Sequence, residues 1–131
     1  MNVSEVLALS SKSLAFLGDS VHSAYVREAI LKRSDVDVNE LARFENRYVC
    51  ARAQANMCKA LTGFLSDTEE SVVRRAINAK TNNKAKNAAR HEYRLATGYE
   101  ALLGFLRLTE NEARLKEILE KTNREEFIVW Q

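Results

Sequence analysis

Proline is missing from the chain, and glycine occurs only four times in 131 residues. Without these punctuating residues, no stretch reads as short strands separated by turns. Leu, Ala, Glu, Lys and Arg dominate instead, and they favour helices. No apolar run approaches the roughly 18 residues that a membrane-spanning helix needs. The N-terminus has no basic segment followed by an apolar one, so no signal peptide is expected and the expected compartment is the cytoplasm. Cysteine is also scarce. Cys50 and Cys58 are the only two, and they fall in one predicted helical region. Eight helical residues rise about 12 Å, too far for a disulfide between them. With no CxxC pair and only two histidines, a structural zinc site is not expected. Both cysteines read as small buried hydrophobes.

What remains is ordinary for a globular protein: 46% hydrophobic and 29% charged residues. The expected architecture is all-α, one domain over residues 1–131 with about six to seven helices. A short helix or lead-in covers residues 1–10. A long helix follows, with Leu14, Leu17, Val21, Ala24 and Tyr25 as its apolar stripe, ending near Lys32 and Arg33. Asp37, with Glu40 three residues on, resembles a capping box. Leu41 to Leu65 is one long amphipathic helix or two in series. Ser66 to Glu69 is another cap, opening a helix that carries Val72, Val73, Ala76 and Ile77. Asn78 to Asn87 reads as an exposed basic loop. Helix propensity returns at about Arg90 and runs through Leu108. Thr109 to Glu112 reads as a capping box for a last helix with Leu115, Ile118 and Leu119. The apolar tail Phe127–Trp130 either packs back on the body or extends a dimer contact.

A net charge of +2 does not by itself announce a nucleic-acid partner, but the distribution is uneven. Between Ser71 and Arg94 there are seven Lys or Arg and one acid, Glu92. Such a local excess suits a polyanion-binding surface, although a solvated charged face is the plain alternative.

Two carboxylates stand out. Asp19 lies between Gly18 and Ser20 on the largely apolar helix Leu14–Ile30, about 140° around it from Leu14. Glu100 lies at the same angle from Leu95, with Thr97, Ala101 and Gly104 on its side. A mid-helix glycine costs about 1 kcal/mol relative to alanine, which is easier to understand if another backbone approaches there. Two helices packed through Gly18 and Gly104 would bring Asp19 near Glu100. Two such carboxylates either share a proton or bind a hard divalent cation. The alternative is two unrelated carboxylates that cap helices or face solvent. His22, one turn from Asp19, reads as a packed or surface histidine.

The run Leu14-Ala15-Phe16-Leu17-Gly18-Asp19-Ser20-Val21 resembles the signature of the ribonuclease III catalytic domain, and Tyr99-Glu100-Ala101-Leu102-Leu103-Gly104 resembles its second acidic motif. The short length, with no double-stranded-RNA-binding domain expected after residue 120 or so, resembles the bacterial short form, Mini-ribonuclease III. Val49–Ala55, Arg74-Arg75, Asn78-Ala79-Lys80, Lys86-Asn87 and Tyr93-Arg94 are similar to that short form too. The resemblance implies a homodimeric, all-helical endoribonuclease that cleaves double-stranded RNA by metal-dependent phosphodiester hydrolysis. It implies precursor 23S ribosomal RNA as substrate, and products with 5′-phosphate and 3′-hydroxyl ends. Asp19 and Glu100 would hold Mg²⁺ or Mn²⁺. Arg52, Arg74, Arg75, Lys80, Lys84 and Lys86 are the candidate RNA contacts, and Phe16 matches an aromatic that plugs the partner subunit. The full-length family carries a glutamate where this chain has Ala15 and an aspartate where it has Thr97. Those two absences motivate the competing reading of a non-catalytic dimeric helical RNA-binding module. Ala85 stands where the short form often has proline in its basic loop.

Overall fold

A computed structural model describes residues 1–79 and 87–130. The order is α1 (Val3–Leu7), α2 (Ser11–Leu31), one 3₁₀ turn (Val38–Glu40), α3 (Leu41–Val49), α4 (Ala51–Ala60), α5 (Asp67–Ile77), α6 (Asn87–Leu108) and α7 (Glu112–Thr122). No strand occurs among the described residues. The lysines Lys80, Lys84 and Lys86 lie outside them.

Helix α6 is the axle. It packs against α2, α4 and α5, and more lightly against α7 and α1. Leu95, Tyr99, Leu102, Leu103, Phe105 and Leu106 are all buried on it, so it is apolar around most of its circumference. The surrounding helices begin with the chemistry that their sequences suggest. Ser10 Oγ accepts the Ser13 N–H at 3.0 Å to start α2. Ser66 and Glu69 form a full capping box at α5, and Asn2 and Glu5 form another at α1.

Three expectations need correction, and one open alternative is decided: the segment from Leu41 to Leu65 is two helices in series, broken at Cys50, whose backbone is extended (φ −67, ψ 158). Any L residue adopts that conformation, so neither glycine nor proline marks the break. The break lets α3 lie on α2 while α4 turns into α6. At the end of α6, Thr109 Oγ1 donates to the Phe105 carbonyl at 2.8 Å instead of capping α7. Glu110 takes a left-handed φ of 58, and the Asn111 N–H returns to the Leu106 carbonyl at 2.9 Å. This is a helix-terminating motif with glutamate where glycine is usual. Asp37 caps through Asn39 N–H at 2.8 Å and opens only the 3₁₀ turn, while Glu40 pairs with Arg43. On α2, finally, Ala24 is exposed, while Leu14 and Val21 of the expected stripe are buried and the buried face widens to take in Ser11, Ala15, Gly18, His22 and Val26, so the small-residue side faces inward as well.

The C-terminal tail packs back on the body. Val129 N–H donates to the Arg47 carbonyl at 2.9 Å, Asn56 Nδ2 donates to the Phe127 carbonyl at 3.1 Å, and Ile128 is buried. The Arg47 guanidinium lies 5.0 Å from the centre of the Trp130 ring, a cation–π distance. Cys50 and Cys58 are free thiols; Cys58 is buried, as expected, and burial pushes it up to about 11, whereas Cys50 is only half-buried.

The contact that fixes the core is between α2 and α6. A Cβ on Gly18 would lie 1.7 Å from the Glu100 carbonyl oxygen, and one on Gly104 would lie 2.0 Å from the Leu14 carbonyl oxygen. The helices therefore touch backbone to backbone and run antiparallel. Gly18→Ala and Gly104→Ala should each lower the unfolding free energy by about 3 kcal/mol or more. Gly63→Ala, at φ 78 with open space around the missing Cβ, should cost only about 1–2 kcal/mol. Urea unfolding of the three variants checks this ordering.

Candidate active site

The glycine contact places a carboxylate beside it on each helix. Asp19 follows Gly18 directly, and Glu100 is the residue whose own carbonyl meets Gly18. Their carboxyl groups are hydrogen-bonded to each other. Asp19 is exposed to solvent and Glu100 is half-buried. Burial, the hydrogen bond from Asp19 and the Asp19 charge push the Glu100 carboxyl up to about 8; a hydrogen bond from Gln54 opposes them. None of the groups acting on Glu100 is a cation. With no cation bound, the Glu100 carboxyl therefore keeps its proton at neutral pH.

Behind the pair is a chain of buried polar groups. Gln54, on α4 and 3% exposed, donates through Nε2 to Glu100 Oε2 at 3.3 Å and to His22 Nδ1 at 3.0 Å. His22 Nε2 meets Asn123 Oδ1 at 2.7 Å. Asn123 Nδ2 donates to the Tyr99 hydroxyl at 3.2 Å, which meets Thr122 Oγ1 at 2.7 Å. His22 is fully buried and burial lowers it to about 4, against weaker opposing effects of Asn123, Asp19 and Glu45. It is a neutral packed histidine, shut off from solvent.

The two positions where the full-length pattern carries acids lie on the same helix faces as the pair. Ala15 is buried, one turn before Asp19. Thr97 Oγ1 donates to its own helix at the Tyr93 carbonyl, 2.9 Å away. No group of three or more His, Cys, Asp or Glu residues suited to a metal ion occurs among the described residues. Two carboxylates with no cation beside them fit a hard divalent ion that keeps most of its coordination for water and substrate oxygens.

The candidate RNA contacts among the described residues lie on two helices. Arg52 on α4 is exposed and pairs with Glu92 at 3.3 Å. Arg74 on α5 pairs with Glu70 at 2.6 Å. Its neighbour Arg75 donates to the carbonyls of Leu7 and Leu9 at 2.7 and 2.9 Å, so it clamps the end of α1. Arg74 and Arg75 share an open surface depression with Lys12 and Ser10 at the start of α2. Phe16 is 83% exposed, on the opposite side of α2 from the glycine contact. Gln54 is the site residue that sequence reasoning missed. Its run Val49–Ala55 is visible as a motif, but nothing in the letters says which of Arg52, Gln54 and Asn56 points inward.

This helical frame has known counterparts. Residues 12–111 match the family model described as Ribonuclease III domain. Mini-ribonuclease 3 of a Thermoanaerobacter species is 45% identical over 115 residues, covering 88% of this chain and 81% of that protein. Mini-ribonuclease 3 of Symbiobacterium thermophilum is 43% identical over 120 residues, 92% of each chain. The crystal structure of protein FN1578 from Fusobacterium nucleatum is similar with a TM-score of 0.76 and 27% identity, over 86% of this chain and 90% of that one. The chain belongs to the Mini-ribonuclease 3 family, a branch of the ribonuclease III class, and is an endoribonuclease. No helix among the described residues is long and apolar enough to cross a membrane.

The raised Glu100 carboxyl has a measurable consequence. Glu100 is raised from its ordinary value of 4.5 to about 8, so between those values the folded protein holds more protons than the unfolded chain. This contribution destabilises the metal-free protein increasingly as pH rises from about 4.5 to about 8. Glu100→Gln removes it. In EDTA, thermal melts should show Glu100→Gln a few degrees more stable than wild type at pH 8, with the gap closing by pH 5.

Proposed function

We propose that this chain cleaves double-stranded RNA in a Mg²⁺-dependent hydrolysis, with Asp19 and Glu100 as the metal-holding residues. The observation that carries the reading is the carboxylate pair itself. The two glycines force it together, and Asp19 and burial raise the Glu100 carboxyl to about 8. A bound divalent ion supplies an activated water and neutralises charge developing on the phosphate. Asp19, open to solvent, faces the incoming substrate, while Glu100, tethered to Gln54, holds its position behind it. The fixed backbone contact keeps the two carboxyls from separating. Mn²⁺ should substitute for Mg²⁺, since both take oxygen ligands.

Duplex RNA in the A-form hides its major groove and exposes phosphates and 2′-hydroxyls, so recognition runs through Lys and Arg. Arg52, Arg74 and Arg75, with Lys80, Lys84 and Lys86 of the basic segment, make these contacts in this reading. Arg75 would then act in two ways, since it also holds α1. The natural substrate is precursor 23S ribosomal RNA, a role the Mini-ribonuclease 3 relatives support, and the working compartment is the cytoplasm. The active form is a homodimer, for which a phenylalanine 83% exposed at position 16 is the supporting observation.

Incubation of long duplex RNA with Mg²⁺ tests the chemistry. Wild type should cleave it, and Asp19→Asn and Glu100→Gln should each lower the rate by about a thousandfold or more. Cleavage that survives both substitutions would sink the assignment, and binding without cleavage by wild type would favour the non-catalytic module. For the assembly, light scattering at micromolar concentration should give a mass near twice the 14.9 kDa of one chain. Phe16→Asp should bring it down to a single chain; an unchanged dimer would remove Phe16 from the interface.

A further inference from the structure

Gln54 does more than fill the space behind Glu100. An amide looks the same from either end, so its direction has to be argued from the network it belongs to. The argument starts at a backbone carbonyl in α7. The Leu119 carbonyl can only accept, and it receives Asn123 Nδ2 at 2.9 Å. Asn123 Oδ1 therefore faces His22 Nε2, 2.7 Å away. An oxygen of this kind also only accepts, so Nε2 carries the ring's proton. A neutral imidazole has one N–H, which leaves His22 Nδ1 bare. Gln54 must then turn its NH₂ toward Nδ1, at 3.0 Å, and the second hydrogen of the same nitrogen reaches Glu100 Oε2 at 3.3 Å. In the other ring tautomer, Gln54 would present its oxygen to the carboxylate and repel it. The donors and acceptors agree at every step. They also agree beyond it, where Tyr99 accepts from Asn123 and passes its own proton to Thr122, which donates to the Ile118 carbonyl at 2.7 Å.

We infer that Gln54 is a positioning residue for the metal site: its N–H aims the Glu100 carboxylate, and the Leu119 carbonyl sets the direction of that N–H through Asn123 and His22. The inference rests on the reading of Asp19 and Glu100 as the cation's ligands. Gln54 touches no reacting atom itself. It donates to the ionised carboxylate, which favours the charged form a cation needs, and it limits where Oε2 can swing. His22 serves as a spacer of fixed polarity, held edge-on to Tyr99 with ring centres 5.2 Å apart. The control of the site thus begins on α7, an element that contributes no carboxylate to it. Outer partners of this kind are ordinarily worth about 10–100-fold in metal affinity.

The test is Mn²⁺ binding without RNA, followed by electron paramagnetic resonance at pH 7.5. Four proteins are compared with wild type: Glu100→Gln, Gln54→Met, His22→Phe, and the double variant of the last two. Gln54→Met should weaken Mn²⁺ by about tenfold or more, and excess Mn²⁺ should restore its cleavage rate with an unchanged KM for RNA. His22→Phe should weaken Mn²⁺ severalfold. The double variant should be no weaker than Gln54→Met alone, because His22 acts only through Gln54. Where His22→Phe does not fold, Asn123→Ala takes its place in the same cycle. Wild-type affinity in Gln54→Met, with Glu100→Gln impaired, overturns the role of Gln54 and leaves the carboxylate pair standing. Losses that multiply in the double variant overturn the relay. Mn²⁺ binding unchanged in Glu100→Gln overturns the metal reading itself.

Discussion

Two absent side chains decide how this molecule is put together. Gly18 and Gly104 let α2 and α6 meet at a distance that no Cβ allows, with each glycine against the other helix's carbonyl. The register follows. Gly18 sits at Glu100 and Leu14 sits at Gly104, so a four-residue step on one helix matches a four-residue step, taken backwards, on the other. Large apolar side chains on α6 are then free to point at α4, α5 and α7, and the remaining helices close around it. Close packing makes such a contact intolerant of change, because the backbone atoms on both sides have nowhere to move.

The same contact concentrates negative charge. Holding a half-buried glutamate against an aspartate works against folding, and the protein offsets this by giving every buried polar neighbour a partner. Gln54, His22, Asn123, Tyr99 and Thr122 form one connected set that ends on backbone carbonyls of α7. In the proposed function, the carboxylates are thereby held ready for a cation before one arrives. Stability given up at a site in this way is the usual cost of preorganisation. The site is also sparser than the full-length pattern. Ala15 has no donor atom, and the Thr97 hydroxyl is turned back onto its own helix. An ion held there as proposed would take more of its coordination from water and substrate than from protein.

Much of this was legible in the sequence for a physical reason. A glycine in the middle of a helix is costly, and a carboxylate on an apolar helix is costly, so the coincidence of both on two helices points to a close crossing. Helix starts at Ser10 and Ser66 were legible because a side-chain oxygen at the cap has few other uses. What was not legible depends on tertiary choice. The break at Cys50 needs only an extended backbone, which any residue supplies. Thr109 to Glu112 carries the letters of a cap, but Thr109 bonds backward and Glu110 accepts a left-handed conformation that ends α6. On α2 the periodicity of Leu14, Leu17, Val21 and Tyr25 pointed to one face, which does meet the core, and the glycine contact with α6 turned a neighbouring small-residue face inward beside it. Gln54 escaped notice because an amide in an alanine-rich helix is unremarkable until the groups around it are known.

The central claim is that the glycine contact builds a cation site from Asp19 and Glu100. Anomalous diffraction from a crystal soaked in Mn²⁺ tests it most directly. The account predicts a peak between the two carboxyl groups, with oxygens at about 2.1–2.2 Å or one water removed, and no such peak in Glu100→Gln. A peak elsewhere in the wild-type protein, or one that persists unchanged in Glu100→Gln, would contradict it.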